Sequence, residues 1–299
     1  MIRLAVRVHR EQAEGVLAEL LELAPSGVEE VQVGEDTVEY VVYGAPGELP
    51  RLPDVTVAAG DALVELSTSE IADDWHERWR EFHRPVLIQA PRPQSGHAGR
   101  MPALRVRPPW EDAGGRDARA SEEIVIDPGQ AFGTGGHAST RLCLELLLEL
   151  AAWEAARGAL LDVGTGSGVL AIAGARLGFQ PVLGLDHELE SVDATRQNAA
   201  VNDVEVEARR FDLRTQPLPW MEARERGAAP LVVVANLLRP LLLELALKMG
   251  SAPAHLIAGG LLSEQVDEVA SAFAANLGLL ERERRQSGEW AAVWLTASA

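Results

Sequence analysis

The chain has 299 residues, 47% of them hydrophobic and 24% charged, and its 27 basic against 45 acidic side chains leave a formal net charge of −18. These are the proportions of a folded protein with material for one large or two smaller domains, and they exclude wholesale disorder. The acid excess argues against a nucleic-acid binder, which needs a positive footprint, and is compatible with a basic partner, a cationic ligand or solubility alone.

A single cysteine, Cys143, excludes an intrachain disulfide and any multi-cysteine zinc site. Arg3 and Arg7 stand where a secretory leader needs an apolar stretch. Leu241 to Leu247 is interrupted by Glu244 and falls short of the ~18 apolar residues of a membrane span. A cytoplasmic protein without membrane contact is the expectation. Lys248 is the sole lysine, so lysine-nucleophile chemistry has one candidate residue.

In chain order, Ile2, Leu4, Val6 and Val8 alternate with Arg3 and Arg7 as in a half-buried strand. Ala13, Val16, Leu17, Leu20 and Leu21 recur at helical spacing over residues 11–23, and Pro25-Ser26-Gly27 closes that helix. Residues 28–33 and 37–43 read as strands of a hairpin around Gly34-Glu35-Asp36. Residues 45–53 are rich in Pro and Gly, and residues 62–66 alternate again. This predicts a small α+β domain over residues 1–68. Residues 69–88 form the expected linker helix, whose polar stretch Asp73 to Phe82 carries Trp75, Trp79 and Phe82 on one face; packing is the expected role of both tryptophans. Residues 91–102 read as a loop, and residues 103–107 and 123–126 as short strands.

From Leu160 onward strands and helices alternate. Strands are expected at 160–163, 181–186, 204–208, 231–235 and 254–258, with helices at 169–177, 188–201, 239–248 and 263–277. That order predicts a parallel sheet covered on both faces. Residues 279–284 and 290–296 instead read as an antiparallel hairpin around Ser287-Gly288.

The most informative stretch is Leu160-Leu161-Asp162-Val163-Gly164-Thr165-Gly166-Ser167-Gly168, a buried strand running through G-x-G-x-G into a helix. Gly164, Gly166 and Gly168 allow a sharp turn and close backbone approach to a ligand. Val169 occupies the position where a dinucleotide fingerprint has Gly or Ala, and no Gly-Lys-Ser/Thr completes a phosphate loop. Asp186 ends the next strand, where a carboxylate can accept both hydroxyls of a ribose or cap the following helix. Turn and carboxylate together point to adenosine.

These residues resemble the class I S-adenosylmethionine-dependent methyltransferases. More specifically, Asp127-Pro128-Gly129-Gln130-Ala131-Phe132-Gly133-Thr134-Gly135-Gly136-His137-Ala138-Ser139-Thr140 is similar to the D-P-G-x-A-F-G-T-G-x-H-x-T-T signature of the PrmA family, the ribosomal protein L11 methyltransferases. Val234-Ala235-Asn236-Leu237-Leu238, Gly259-Gly260-Leu261-Leu262-Ser263-Glu264-Gln265 and Gly288-Glu289-Trp290 extend the match across residues 121–299. Ser139 replaces the family's first threonine and keeps a hydroxyl. An insertion at 91–101 and a second small-domain helix reduced to a Pro-rich stretch bear on target identity, because the family's first domain recognises substrate.

The resemblance implies an α/β fold: a Rossmann-like methyltransferase sheet with an antiparallel last strand over residues 89–299, preceded by a ferredoxin-like substrate-recognition domain. It implies an S-adenosylmethionine-dependent protein N-methyltransferase acting on lysine ε-amines or the α-amine of free L11, as a monomer, without direct nucleic-acid binding. Thr140 would meet the methionine end of the cofactor and Phe132 would close over it; the alternative is that Ser139 and Thr140 only cap a helix. Asn236, through its side-chain oxygen, and Leu237, through its carbonyl, would hold the substrate amine, and Asn236 also borders the cofactor; a plain strand-end turn is the alternative. Asp212 is either the partner of the adenine amino group or a solvated loop acid. His137 is either a base or a loop-holding side chain. A relative that methylates another protein or a small amine, an NAD-dependent oxidoreductase (opposed by Val169) and an RNA-holding module (opposed by the charge) are the competing readings.

Overall fold

The computed structural model describes residues 2–13, 16–17, 20, 23, 28–32, 36–44, 49–50, 52–70, 84–89, 103–112, 121–127, 135–153, 156–219 and 231–297. The chain divides into two units, residues 1–82 and 83–299.

In the first unit, β1 (Ile2–His9), β2 (Glu29–Gln32), β3 (Thr37–Gly44) and β4 (Leu63–Glu70) form an antiparallel sheet in the order β2-β3-β1-β4. Leu4, Val6 and Val8 stand opposite Val42, Tyr40 and Val38, so the alternation read from the sequence puts one apolar face on the core. Helical residues Ala13, Val16 and Leu20 pack there, and Tyr40 Oη donates to Ala13 O at 3.0 Å. On the other face Arg7 reaches Glu39 and Glu65, its register partners on both flanking strands. A helix after β1 and another after β3 complete the ferredoxin-like order.

The second helix, α1 (Leu52–Ala59), begins inside the stretch read as irregular. Pro53 lies in its first turn, where backbone N–H groups have no helical partner to lose. β4 runs to Glu70, two residues past the expected domain end. The Trp75/Trp79 helix and the 91–102 loop lie outside the described residues.

In the second unit a small sheet, β5 (Val86–Gln89), β6 (Ala103–Arg107) and β7 (Ser121–Val125), pairs β5 with β6 antiparallel and β6 with β7 parallel. β5 was not expected, since four residues offer no clear period. The main sheet consists of β8 (Leu160–Val163), β9 (Val182–Asp186), β10 (Glu207–Arg210), β11 (Val232–Asn236), β12 (His255–Leu262), β13 (Leu279–Ser287) and β14 (Trp290–Ala297). Its order is β10-β9-β8-β11-β12-β14-β13, with β14 antiparallel to both neighbours. The remaining helices are α2 (Ala138–Ala151), α3 (Val169–Arg176), α4 (Leu189–Val201), α5 (Arg239–Lys248) and α6 (Val266–Leu277).

Period-two patterning divides the core. Val232 and Val234 face the cluster with α2 and α3, whereas Val233 and Ala235 face that with α5 and α6. β10 starts three residues later than expected; Val204 and Val206 pack against the core without belonging to the strand. β12 continues four residues beyond the expected end through an irregularity at Gly259-Gly260. Among the described residues no helix is long and apolar enough to cross a membrane.

The chain steps from β8 to β9 on one side and reaches β11 on the other. Their carboxyl ends therefore open a crevice at the topological switch point, where α/β sheets bind ligands.

Candidate active site

The turn leaving β8 is held from three directions. Gly164 N–H and Thr165 N–H both donate to Leu185 O, at 2.8 and 2.9 Å, fixing it to β9. Thr165 Oγ1 and Ala171 N–H donate to Asp162 Oδ2 at 2.9 and 3.2 Å. From α4, Thr195 Oγ1 donates to Gly166 O at 3.0 Å and Asn198 Nδ2 to Ser167 O at 2.8 Å. Gly164, Gly166 and Gly168 take φ values of +79°, +53° and +84°. The positive φ of Gly164 favours glycine there, and a Cβ would also stand 2.4 Å from Leu237 Cδ2, the movable end of a side chain.

Asp162 is fully buried, and burial pushes its carboxyl up to about 7 against the pull of its Thr165 and Ala171 hydrogen bonds. It was missed at the sequence level, although an acid inside the apolar run Leu160-Leu161-Asp162-Val163 was the available signal. Asn198 was missed too. Besides Ser167 O, it accepts Asp127 N–H at 3.0 Å, tying the first residue of the Asp127–Thr140 motif to the glycine turn.

Asp186 ties the glycine turn to the start of α4. Its Oδ2 accepts Gly166 N–H at 2.9 Å, and its Oδ1 accepts the N–H of Glu188, the residue capping α4, at 3.1 Å. Each oxygen keeps a second lone pair. Beside it lies a cavity of about 570 Å³ walled by Gly164, Asp186, His187, Phe211, Asp212, Leu213 and Leu237. Asp212 is on that wall with its carboxylate engaged locally. Arg214 N–H donates to its Oδ1 and Thr215 Oγ1 to its Oδ2, each at 2.9 Å, holding the carboxyl below the usual range.

At the end of β11, Asn236 Nδ2 donates to Thr140 Oγ1 at 3.2 Å, while its buried Oδ1 has no hydrogen-bond partner among the described residues. Leu237 N–H donates to Gly259 O at 3.2 Å. A Cβ on Gly260 would lie 2.5 Å from Leu237 O and 3.1 Å from Asn236 Oδ1. One on Gly259 would meet Cys143 Sγ at 2.3 Å. The glycine pair thus clears space around two carbonyl-type acceptors.

The cap of α2 is His137, whose Nδ1 accepts Ser139 N–H at 3.3 Å and lies 2.8 Å from Ser139 Oγ. Its ring packs edge-on against Trp290 with centroids 4.8 Å apart. The capping thus falls to His137, and the Thr140 hydroxyl is turned to Asn236. Phe132 lies outside the described residues. Burial and the Asp162 charge push the Cys143 thiol far up, so it is no nucleophile. Among the described residues no cluster of three metal-ligating side chains occurs.

The family model described as "Ribosomal protein L11 methyltransferase (PrmA)" matches residues 54–298. A ribosomal protein L11 methyltransferase of Geobacter sulfurreducens is 36% identical over 247 residues, covering 81% of this chain and 73% of its own. One from Sorangium cellulosum is 29% identical over 278 residues, covering 89% of this chain and 81% of its own. The crystal structure of the ribosomal protein L11 methylase from Lactobacillus delbrueckii subsp. bulgaricus aligns with a TM-score of 0.56 at 29% identity, over 67% of this chain and 97% of that one.

The chain belongs to the PrmA family.

It is accordingly an S-adenosylmethionine-dependent methyltransferase, which removes the oxidoreductase reading. Its PrmA-type sheet carries the Gly164–Gly168 turn, Asp186, Asp212 and Asn236 at the carboxyl ends of its parallel strands. Gly164, Asp186 and Asp212 line the cavity together with Leu237, whereas Asn236 and Thr140 do not. The residues present fit the cofactor. Lone pairs remain on both Asp186 oxygens for a ribose diol, and Asp186 and Gly164 share the wall of one cavity.

Proposed function

We propose that this PrmA-family enzyme methylates amino groups of ribosomal protein L11, lysine ε-amines or the α-amine, with the acceptor nitrogen held by Asn236 Oδ1 and the Leu237 carbonyl. The observation that carries the reading is the buried, unpartnered Asn236 Oδ1, oriented through its own amide by Thr140 and bordered by glycines. An unpaired buried acceptor costs about 1–3 kcal/mol, and a substrate N–H relieves that cost. Two acceptors on the amine hydrogens would aim its lone pair away from both.

S-adenosylmethionine, when bound, supplies an activated methyl group beside a positively charged sulfur. The protein's task is then to orient, desolvate and neutralise the amine. Keeping a lysine neutral at pH 7 costs roughly 4–5 kcal/mol from a reference pKa near 10.4. Water exclusion and a neighbouring positive charge both lower that cost. Asn236 accepts hydrogen bonds and is no base, so the proton leaves to water before transfer. In this reading Gly164, Gly166, Gly168 and Asp186 hold the adenosine part, Asp212 the adenine edge, and Thr140 and Phe132 the methionine end.

The first unit recognises the substrate, the stretch between β4 and β5 links, and the second unit carries the chemistry. The enzyme works as a monomer in the cytoplasm on free L11, without gripping RNA, and its charge of −18 draws in a basic substrate. Transfer of labelled methyl from S-adenosylmethionine to purified L11, slowing as salt rises, is the expected result. No labelling of L11 would refute the target. A second reading, methylation of another protein lysine or a small amine, is favoured by the family match beginning only at residue 54. Labelling of a cell extract that spares L11 would select it.

A further inference from the structure

The sole lysine of the chain is placed where the cofactor cavity needs a fixed wall. Lys248 is the last residue of α5, the helix that starts three residues after Asn236. Its Nζ donates to Leu213 O at 2.6 Å and to Arg214 O, and lies 3.0 Å from Glu244 Oε1. An ammonium has three donors, and these three acceptors use all of them.

The carbonyls concerned belong to the segment after β10 whose residues Leu213 to Gln216 line the cavity. That segment is already fastened on its other side. Phe211 N–H donates to Asp186 O at 2.7 Å, and Asp212 gathers Arg214 N–H and the Thr215 hydroxyl. Among the described residues it has no strand partner beyond Arg210, and the carbonyls of Leu213 and Arg214 are taken by Lys248. An exposed i,i+4 pair such as Lys248–Glu244 is worth little alone. The two main-chain carbonyls give this lysine a role that the pair does not.

We infer that Lys248 is a positioning residue for cofactor affinity. By tying the 213–216 wall to α5, it presets the cavity and fixes that wall relative to the Asn236 turn from which α5 departs. This rests on the cavity beside Asp186 being the S-adenosylmethionine site.

The test is calorimetric titration of the full chain with S-adenosylhomocysteine, alongside Lys248→Met, Lys248→Arg and Asp186→Ala. Lys248→Met is expected to weaken binding about tenfold, the scale of one charge-assisted hydrogen bond. Lys248→Arg, which can still serve two carbonyls, should bind within about threefold of the parent. Unchanged affinity in Lys248→Met, with binding lost in Asp186→Ala, overturns this inference and leaves the site standing. Parental affinity in Asp186→Ala removes both together. A loss in Lys248→Met that arginine fails to restore, with a matching fall in the melting temperature of the unliganded protein, reduces Lys248 to a structural role. Because no other side chain carries an ε-amine, acetylation followed by peptide mass analysis gives an independent reading. Saturating S-adenosylhomocysteine should slow modification of Lys248 several-fold, and equal rates overturn the coupling.

Discussion

The turns after β8 and β11 lie on adjacent strands of one sheet edge and treat their polar atoms differently. After β8 the carbonyls of Gly166 and Ser167 are taken by Thr195 and Asn198, and both Asp186 oxygens already hold N–H groups. After β11 the Asn236 amide is oriented by Thr140, yet its Oδ1 has no partner. A ligand that stays through the reaction is served by a rigid, internally satisfied cradle. A transient amine is served by an acceptor left unsatisfied until it arrives. Asp162 is the exception on the first side: its Oδ1 is also unpartnered, and burial answers by favouring the neutral acid.

The sharpest way to break this contrast is Asn236→Ala. It should lower the methyl-transfer rate at saturating cofactor by about 100-fold or more, on the scale of losing a transition-state hydrogen bond, and leave S-adenosylhomocysteine affinity within about twofold. Full rate in the variant would erase the distinction. Asp186→Ala should do the converse, weakening S-adenosylhomocysteine about 10- to 100-fold by calorimetry. Thr140→Val keeps shape and removes the hydroxyl that orients Asn236. A rate loss near tenfold, on the scale of one hydrogen bond, is expected from steady-state kinetics.

A separate effect, on stability and not on rate or affinity, concerns Asp162. Its folded pKa, about 7, is raised above the usual aspartate value near 3.9, so the unfolded chain releases this proton first. The folded state holds more protons between about pH 4 and 7, and this group's contribution falls as pH rises through that window. Above it the burial penalty is complete. Urea midpoints should therefore drop more between pH 5 and 8 for the parent than for Asp162→Asn, and parallel curves would contradict the assignment.

Much of this architecture was legible because its signals are local. The G-x-G-x-G turn, Asp186 at a strand end and Asn236 after an apolar strand are read from spacing, and the sheet gathers them on one edge. Capping by Ser139 and Thr140 was the alternative to a ligand role, because their type is common at helix starts; the cap is His137, whose ring packs against Trp290, 153 residues away. Asn198 and Lys248 were invisible for the same reason: their partners, Asp127, Ser167, Leu213 and Arg214, are main-chain atoms brought near only by the fold. α1 was missed because Pro53 reads as a breaker unless its place in the first turn is known.

The reaction proposed for this edge is methyl transfer to the amines of L11. Intact-mass spectrometry of ribosomal proteins from cells with and without this gene tests it most directly. L11 is expected to lose its methyl mass increments when the gene is absent while other ribosomal proteins keep theirs. An unchanged L11 mass would contradict it.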